Sequence, residues 1–387
     1  MIRALFVNSG ILGQTAFARF VAQAFADDYD GIRARQVVLT EDLSLAERLQ
    51  RRILCARLWP DGLGGLRNLD RHRFRAELNA GLVARRRIRR AEAREPIDVL
   101  HFHRQATAYA SLDRLRRTPS IISIDCTQRC VIELARNELE ARSYRPNVRR
   151  DGQIFAAARL IIATSEWAAR SVRREYPSCT TEIAVMPTPV QISAFDPAWP
   201  DERYGRATSA SAPKPRVLFI GGDFPRKGGE TLLATWRARR FGERAELDVV
   251  TNWPIEPQAL SPGVTVHRDV SAYTPAWLSL YRRADVFVMP TRDEAFGNVF
   301  QEAAAAGLPA IGTAINSIPE QIVDRETGLL VAPDQGDELA VALESLLASA
   351  ERRRDLGRAA RRRISKRADP DEYRRGLAAA IHRVRGS

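Results

Sequence analysis

Lysine is scarce in this sequence. Of the 60 cationic residues in 387, only Lys214, Lys227 and Lys366 are lysines, and the rest are arginine. A GC-rich genome writes such a skew, so part of the net charge of +13 reflects codon usage. Cysteine is scarce too. Cys55, Cys126, Cys130 and Cys179 make no disulfide framework at this length. Cys126 and Cys130 have no second pair to complete a zinc site. No apolar run approaches the roughly 20 residues of a membrane-spanning helix. The opening "MIRALFVNSGILGQTAF" is split by Asn8-Ser9-Gly10 and runs straight into a folded pattern, unlike a cleaved leader. The chain is read as cytoplasmic. No zinc-finger or RNP-type motif accompanies the arginines, so nucleic acid is not an expected partner.

What is present is alternation. Short β-branched runs, "RALFVN" (3–8), "RQVVLT" (35–40), "DVLHFH" (98–103), "SIISID" (120–125), "RLIIAT" (159–164) and "EIAVMPT" (182–188), are separated by stretches of helical period. Among these are 13–26 and 165–176, the second with Ser165 as its N-cap. The aperiodic segment 196–215 reads as a linker. Alternation then restarts with "RVLFIGG" (216–222), "ELDVVT" (246–251), "VTVHRD" (264–269), "DVFVMP" (285–290), "PAIGT" (309–313) and "GLLVA" (328–332). One helical stretch, 336–357, follows the last strand. This predicts an α/β protein of two doubly wound, Rossmann-like parallel-sheet domains facing across a cleft. The domains are 1–195 and 216–366, with a C-terminal helix at 367–387 packing back on the first. Ligands of such sheets bind at the carboxyl ends of the strands.

Two segments carry chemistry at those ends. "TRDEAFGNVFQEAAAAG" (291–307) is a loop followed by a helix, with Asn298 as the expected N-cap and Gly307 closing it. Its free N–H groups suit a phosphate or sugar oxygen. Glu294 before the helix and Glu302 one turn inside it reach different parts of an elongated ligand, and carboxylates accept paired hydrogen bonds from vicinal hydroxyls. "FIGGDFPRKGGETLL" (219–233) is a strand, a glycine-rich loop, the cations Arg226 and Lys227, then a helix. It is neither a Walker loop nor a G-x-G-x-x-G, yet it makes a receptacle for a diphosphate. A lysine at 227, in a chain that writes its cations as arginine, points to a compact charge.

In these two motifs, and in "GLPAIGTAINSIPEQIVDRETGLLVAPDQGDELAVAL" (307–343), the chain resembles the family 4 retaining glycosyltransferases of GT-B fold, with an E-x7-E motif at Glu294 and Glu302. The resemblance covers the second domain closely and the first more loosely, through "DVLHFH", "IIATSEWAARSV" and "IAVMPTPVQISAF". It implies a nucleoside-diphosphate sugar as donor. Arg226 and Lys227 would neutralise the diphosphate, Glu302 would hold the ribose, and Glu294 with Phe296-Gly297-Asn298 would hold the donor sugar. Gly222, and the loop Gly10 to Gly13, would approach the donor as well. The implied acceptor is a glycan or lipid-linked molecule of surface polysaccharide or glycoconjugate synthesis. No metal and no cofactor enters that scheme.

Three departures fall on the acceptor side and the catalytic detail. Asp125 stands where the family often has histidine, Gly221-Gly222 where it has Gly-Arg, and Thr188-Pro189-Val190-Gln191 where it has Asn-Gly-Val-Asp. Smaller signals are a D-x-D at Asp28-Tyr29-Asp30, away from any strand's carboxyl end, and the strand pair His101 and His103. Core packing explains the histidines, with an acceptor contact for His103 as the alternative. The basic runs 84–94 and 351–367 read as solvated helix faces, or as peripheral contacts with the anionic inner face of a membrane. The rival functions are a GT-B sugar-nucleotide epimerase or phosphorylase, and a non-catalytic cationic surface-binding protein on the same scaffold.

Overall fold

The computed structural model describes residues 1–10, 14–58, 71–133, 135, 137–209 and 211–386. The chain forms two compact units, residues 1–189 with 370–387, and residues 190–369.

The first unit holds a six-stranded parallel sheet: β1 (Ile2–Asn8), β2 (Ile32–Val38), β3 (Val99–His103), β4 (Ser120–Ile124), β5 (Leu160–Ala163) and β6 (Glu182–Val185), in the order β2-β1-β3-β4-β5-β6. Its inner strands β1, β3, β4 and β5 are largely apolar at consecutive positions because both faces are covered. Leu5, Val7, Leu100, Phe102, Ile122 and Ile161 face one core. The alternate residues Ala4, Phe6, Val99, Ile121, Leu160 and Ile162 face the other. That second core is completed by Phe17, Val21 and Phe25 from the helix Gln14–Ala24 and the turn after it, and by Tyr373, Leu377 and Ile381 from the C-terminal helix Pro370–Gly386. Ser165 caps the helix Glu166–Glu175, accepting from Ala168 N at 3.0 Å.

The second unit repeats the plan with β7 (Arg216–Ile220), β8 (Glu246–Val250), β9 (Val264–His267), β10 (Val286–Met289), β11 (Ala310–Thr313) and β12 (Gly328–Val331). All neighbours pair parallel, in the order β12-β11-β10-β7-β8-β9. Strand order therefore reverses between β7 and β10 here, and between β1 and β3 in the first sheet. In open α/β sheets the usual ligand position is at the loops leaving the strands on either side of such a reversal.

Three local expectations are corrected. The segment 196–215 is not simply a linker, because Trp199–Ala207 is a helix packed on the second unit. Trp199 is buried against Phe195, and buried Arg203 donates to the carbonyls of Gly307 (3.1 Å), Arg282 (3.3 Å), Tyr281 (3.4 Å) and Ala306. One of the three buried residues of this helix is an arginine, Arg203, which hides its period. The stretch 336–357 is two helices, Gly336–Leu347 and Ala350–Arg367, divided where Ser349 accepts from Arg352 N at 3.1 Å and caps the second. Asn298 is the first residue of its helix rather than the cap. Gly297 holds the cap position, at φ +78°.

The basic runs fit neither sequence reading fully, since many of their arginines are structural. Arg85 donates to Ala110 O and pairs with Asp113, and Arg87 reaches the carbonyls of Val38, Glu41 and Asp42. Arg361 reaches the carbonyls of Phe195 (2.7 Å), Asp196 and Ala305, while Arg363 (3.0 Å) and Arg367 hold Glu320 O. A guanidinium offers five donors, so one side chain closes several orphan carbonyls.

Candidate functional site

At the β7/β10 reversal the two loops lock together. Gly228 follows Lys227 at φ +75°, and a Cβ there would drive into the carbonyl of Pro290. Only glycine lets the first loop lie this close to the second. Gly221 does the same for the lysine stem, because a Cβ would stand 2.9 Å from Lys227 Cβ. The Arg226 carbonyl accepts from Arg292 N (2.9 Å) and Thr291 Oγ1 (3.0 Å). The Arg226 guanidinium donates to Asp223 Oδ2 (3.0 Å) and to Asp293 O (2.7 Å).

Lys227 Nζ is ion-paired with Glu294 Oε2, and both side chains are largely buried. Burial, then the neighbouring Arg226 charge, pushes the Lys227 ammonium down to about 7. The Asp293 and Asp223 carboxylates pull the other way and favour the charged form. A buried charge pair is costly to keep, and perturbed groups of this kind cluster at functional sites.

The loop carrying Glu294 is held from below. Asn316 donates to Asp293 Oδ1 (3.1 Å) and Glu294 O (3.2 Å), Ser317 to Ala295 O (2.6 Å), and Gln321 to Phe296 O. These residues escaped the sequence reading. The signal available was that an irregular loop needs partners for its carbonyls. Phe296 is buried, and Gly297, with Glu294 Cγ 3.0 Å from where its Cβ would be, opens the helix Asn298–Ala305. That helix ends at the Arg203 and Arg361 guanidinia, cations suited to the negative end of its dipole.

Glu302, one turn into the helix, is buried and accepts from Tyr281 OH at 3.1 Å. Burial raises its carboxyl to about 7, opposed by hydrogen bonds from Tyr281 and Tyr273. Gly222 is exposed, with open space where a side chain would go. The structure thus brings Arg226, Lys227, Glu294 and Phe296–Asn298 together, with Glu302 on the same helix among aromatic rings.

In the first unit, Gly10 follows β1 at φ +71° and accepts from Thr40 Oγ1 at 3.3 Å. Gly13 lies outside the described residues. His103 stacks on Phe17 with ring centroids 3.9 Å apart, and His101 meets Ser123 Oγ at 2.6 Å. Burial lowers both imidazoles to about 3. Asp125 is half-buried just past β4. Beside it is a residue the sequence reading missed: Arg104, at the end of β3 with φ +86°. Burial works against its charge, while Asp125 and Glu77 more than offset this and hold the guanidinium above its usual range. Non-glycine residues seldom adopt such backbone, and it concentrates at functional sites. Asp28, of the D-x-D, pairs with Arg33.

The chain is thus two doubly wound units, one with a charged constellation and a helix N-terminus at its reversal point. Known proteins agree. A model of the glycosyl transferases group 1 matches residues 202–363, and one of Glycosyltransferase Family 4 matches residues 43–194. A D-inositol 3-phosphate glycosyltransferase of Arthrobacter sp. (strain FB24) is 29% identical over 317 residues, 77% of this chain and 73% of its own length. Among solved structures, sucrose-phosphate synthase from Thermosynechococcus elongatus superimposes with a TM-score of 0.71 at 19% identity, over 99% of both chains. An Anabaena protein in complex with UDP and glucose gives 0.68 at 16% identity, over 99% of this chain and 100% of its own. The fold is GT-B. The chain belongs to the family 4 glycosyltransferases.

Proposed function

We propose that this glycosyltransferase moves a sugar, with retention of configuration, from a nucleoside-diphosphate donor to a glycan or lipid-linked acceptor. The observation carrying the reading is the buried Lys227–Glu294 pair beside Arg226, at the strand-order reversal. The donor's diphosphate brings a second anion to Lys227 and Arg226, and Glu294 then turns to the hydroxyls of the sugar. Glu302, positioned by Tyr281, takes the ribose hydroxyls, and Gly222 leaves room for the ligand. The glycosidic C–O bond to the phosphate breaks as the acceptor oxygen bonds the same carbon from the same face. The acceptor's proton passes to the departing phosphate oxygen. The two cations stabilise the charge that develops there, so the scheme has no metal step.

On the acceptor side we place Arg104, Asp125 and His103, all in the first unit. Arg104 favours a second reading of the acceptor, as a phosphorylated sugar or polyol, the class named in the Arthrobacter relative. The protein would work in the cytoplasm, peripherally at an anionic membrane face. The test is nucleotide release from UDP-, GDP- and ADP-sugars, with each acceptor class present or absent. Acceptor-dependent release of one nucleotide, with the product anomer unchanged by NMR, supports transfer. Acceptor-independent release, or an inverted product, contradicts it.

A further inference from the structure

The helix Leu45–Leu54 is inside out. The face it turns toward the helix His72–Glu92 is polar. Glu47, fully buried, closes a capping box with Ser44 and meets Arg87 at 3.4 Å. Gln50 donates to Asn79 Oδ1 at 2.8 Å and accepts from Arg86. The outer face carries Leu45, Leu49 and Ile53, which are 83%, 61% and 60% exposed. Four-residue spacing aligns the three in one stripe. Leu45, Leu49 and Ile53 are three of the eight large hydrophobic side chains that stand exposed among the described residues.

Charge says what covers the stripe. Arg48, Arg51, Arg52 and Arg57 are all exposed around it. Between Leu43 and Leu58 the only carboxylate is Glu47, which is buried and paired. The outer surface therefore presents aliphatic side chains and cations together, with no exposed acid in that stretch. We infer that this helix seats the protein on an anionic lipid bilayer. Leu45, Leu49 and Ile53 enter the boundary between headgroups and acyl chains, and the arginines meet lipid phosphates. A second copy of the chain is a poorer occupant, since it would bring two arginine-rimmed faces together. This contact deepens the membrane half of the function proposed above and leaves the nucleotide half to its own test.

Cosedimentation of the full chain with phosphatidylcholine vesicles, with and without phosphatidylglycerol, tests it. Binding is expected only with the anionic lipid. The double variant Leu49→Glu/Ile53→Glu should lose about tenfold or more in vesicle affinity, while Arg48→Gln/Arg52→Gln should lose less and bind with a shallower salt dependence. Both should keep the wild-type melting temperature and nucleoside-diphosphate affinity, so that failure of this surface is distinguishable from failure of the nucleotide site. Absence of wild-type binding to anionic vesicles would overturn the inference. So would undiminished binding by the leucine–isoleucine variant, or a wild-type dimer that this variant splits while vesicle binding stays absent.

Discussion

Lys227 and Glu294 form a buried ion pair that joins the loop after β7 to the loop after β10. Sixty-seven positions separate them in the chain, and only the reversal of strand order between β7 and β10 makes them neighbours. The first loop is held by Gly221 and by the close approach of Gly228 to Pro290 of the second, and the second loop by Asn316 and Ser317. The backbone that presents the pair is therefore a prepared frame, as the proposed diphosphate site requires.

The proposed role of the pair predicts a pH dependence of nucleotide binding. The folded Lys227 ammonium is pushed down to about 7 by burial, from its usual 10.5. Bound phosphate needs the charged form, so binding above that pH must take up a proton. Nucleoside-diphosphate affinity is expected to fall as pH rises from 7 to 9, by at most about tenfold per pH unit. Lys227→Arg should flatten the dependence, because arginine stays charged throughout. Calorimetric titration at several pH values checks this, and equal slopes for the two proteins would count against a role for the Lys227 charge.

Two glycines in one loop should behave oppositely. Gly228→Ala forces a side chain onto the Pro290 carbonyl at a positive φ, and should cost about 1–3 kcal/mol of stability together with most nucleotide affinity. Gly222→Ala meets open space and should leave the melting temperature unchanged. If the donor passes over Gly222, the same substitution should still weaken nucleotide binding severalfold. Unchanged affinity would remove Gly222 from the site.

Much of this was legible in the sequence, for identifiable reasons. The inner strands stand out because a sheet covered on both faces needs unbroken apolar runs, as in "SIISID" and "DVFVMP", whereas the edge strand β2 begins three residues before the run that marks it. Arg226, Lys227 and Glu294 stand out because glycines and charges at strand ends have few structural explanations. Arg104 did not, since its strain lies in the backbone and a single arginine among so many gives no signal. The helix at Trp199–Ala207 was hidden because buried Arg203 faces carbonyls where a leucine would face a core. The inverted helix Leu45–Leu54 has an ordinary amphipathic pattern, and only its packing shows which side faces out.

The histidines predict acid lability in the first unit. Both His101 and His103 have imidazoles lowered by burial to about 3, against about 6.5 when unfolded. The folded chain binds fewer protons between those values, so this stability is fully present above pH 6.5 and is lost progressively as pH falls toward 3. His103→Phe keeps a ring stacked on Phe17 and removes one titration. Its loss of stability between pH 7 and 5 should be smaller than wild type by roughly 1–2 kcal/mol. Parallel denaturation curves for the two proteins across that range would refute this.

Isothermal titration of UDP, GDP and ADP into the wild-type chain and into Arg226→Ala, Lys227→Ala and Glu302→Ala bears most directly on the nucleotide site. One of the three nucleotides is expected to bind the wild type, with each substitution weakening it by about tenfold or more, as expected for losing a charged hydrogen bond. No binding by any nucleotide, or full affinity in all three variants, would contradict the account.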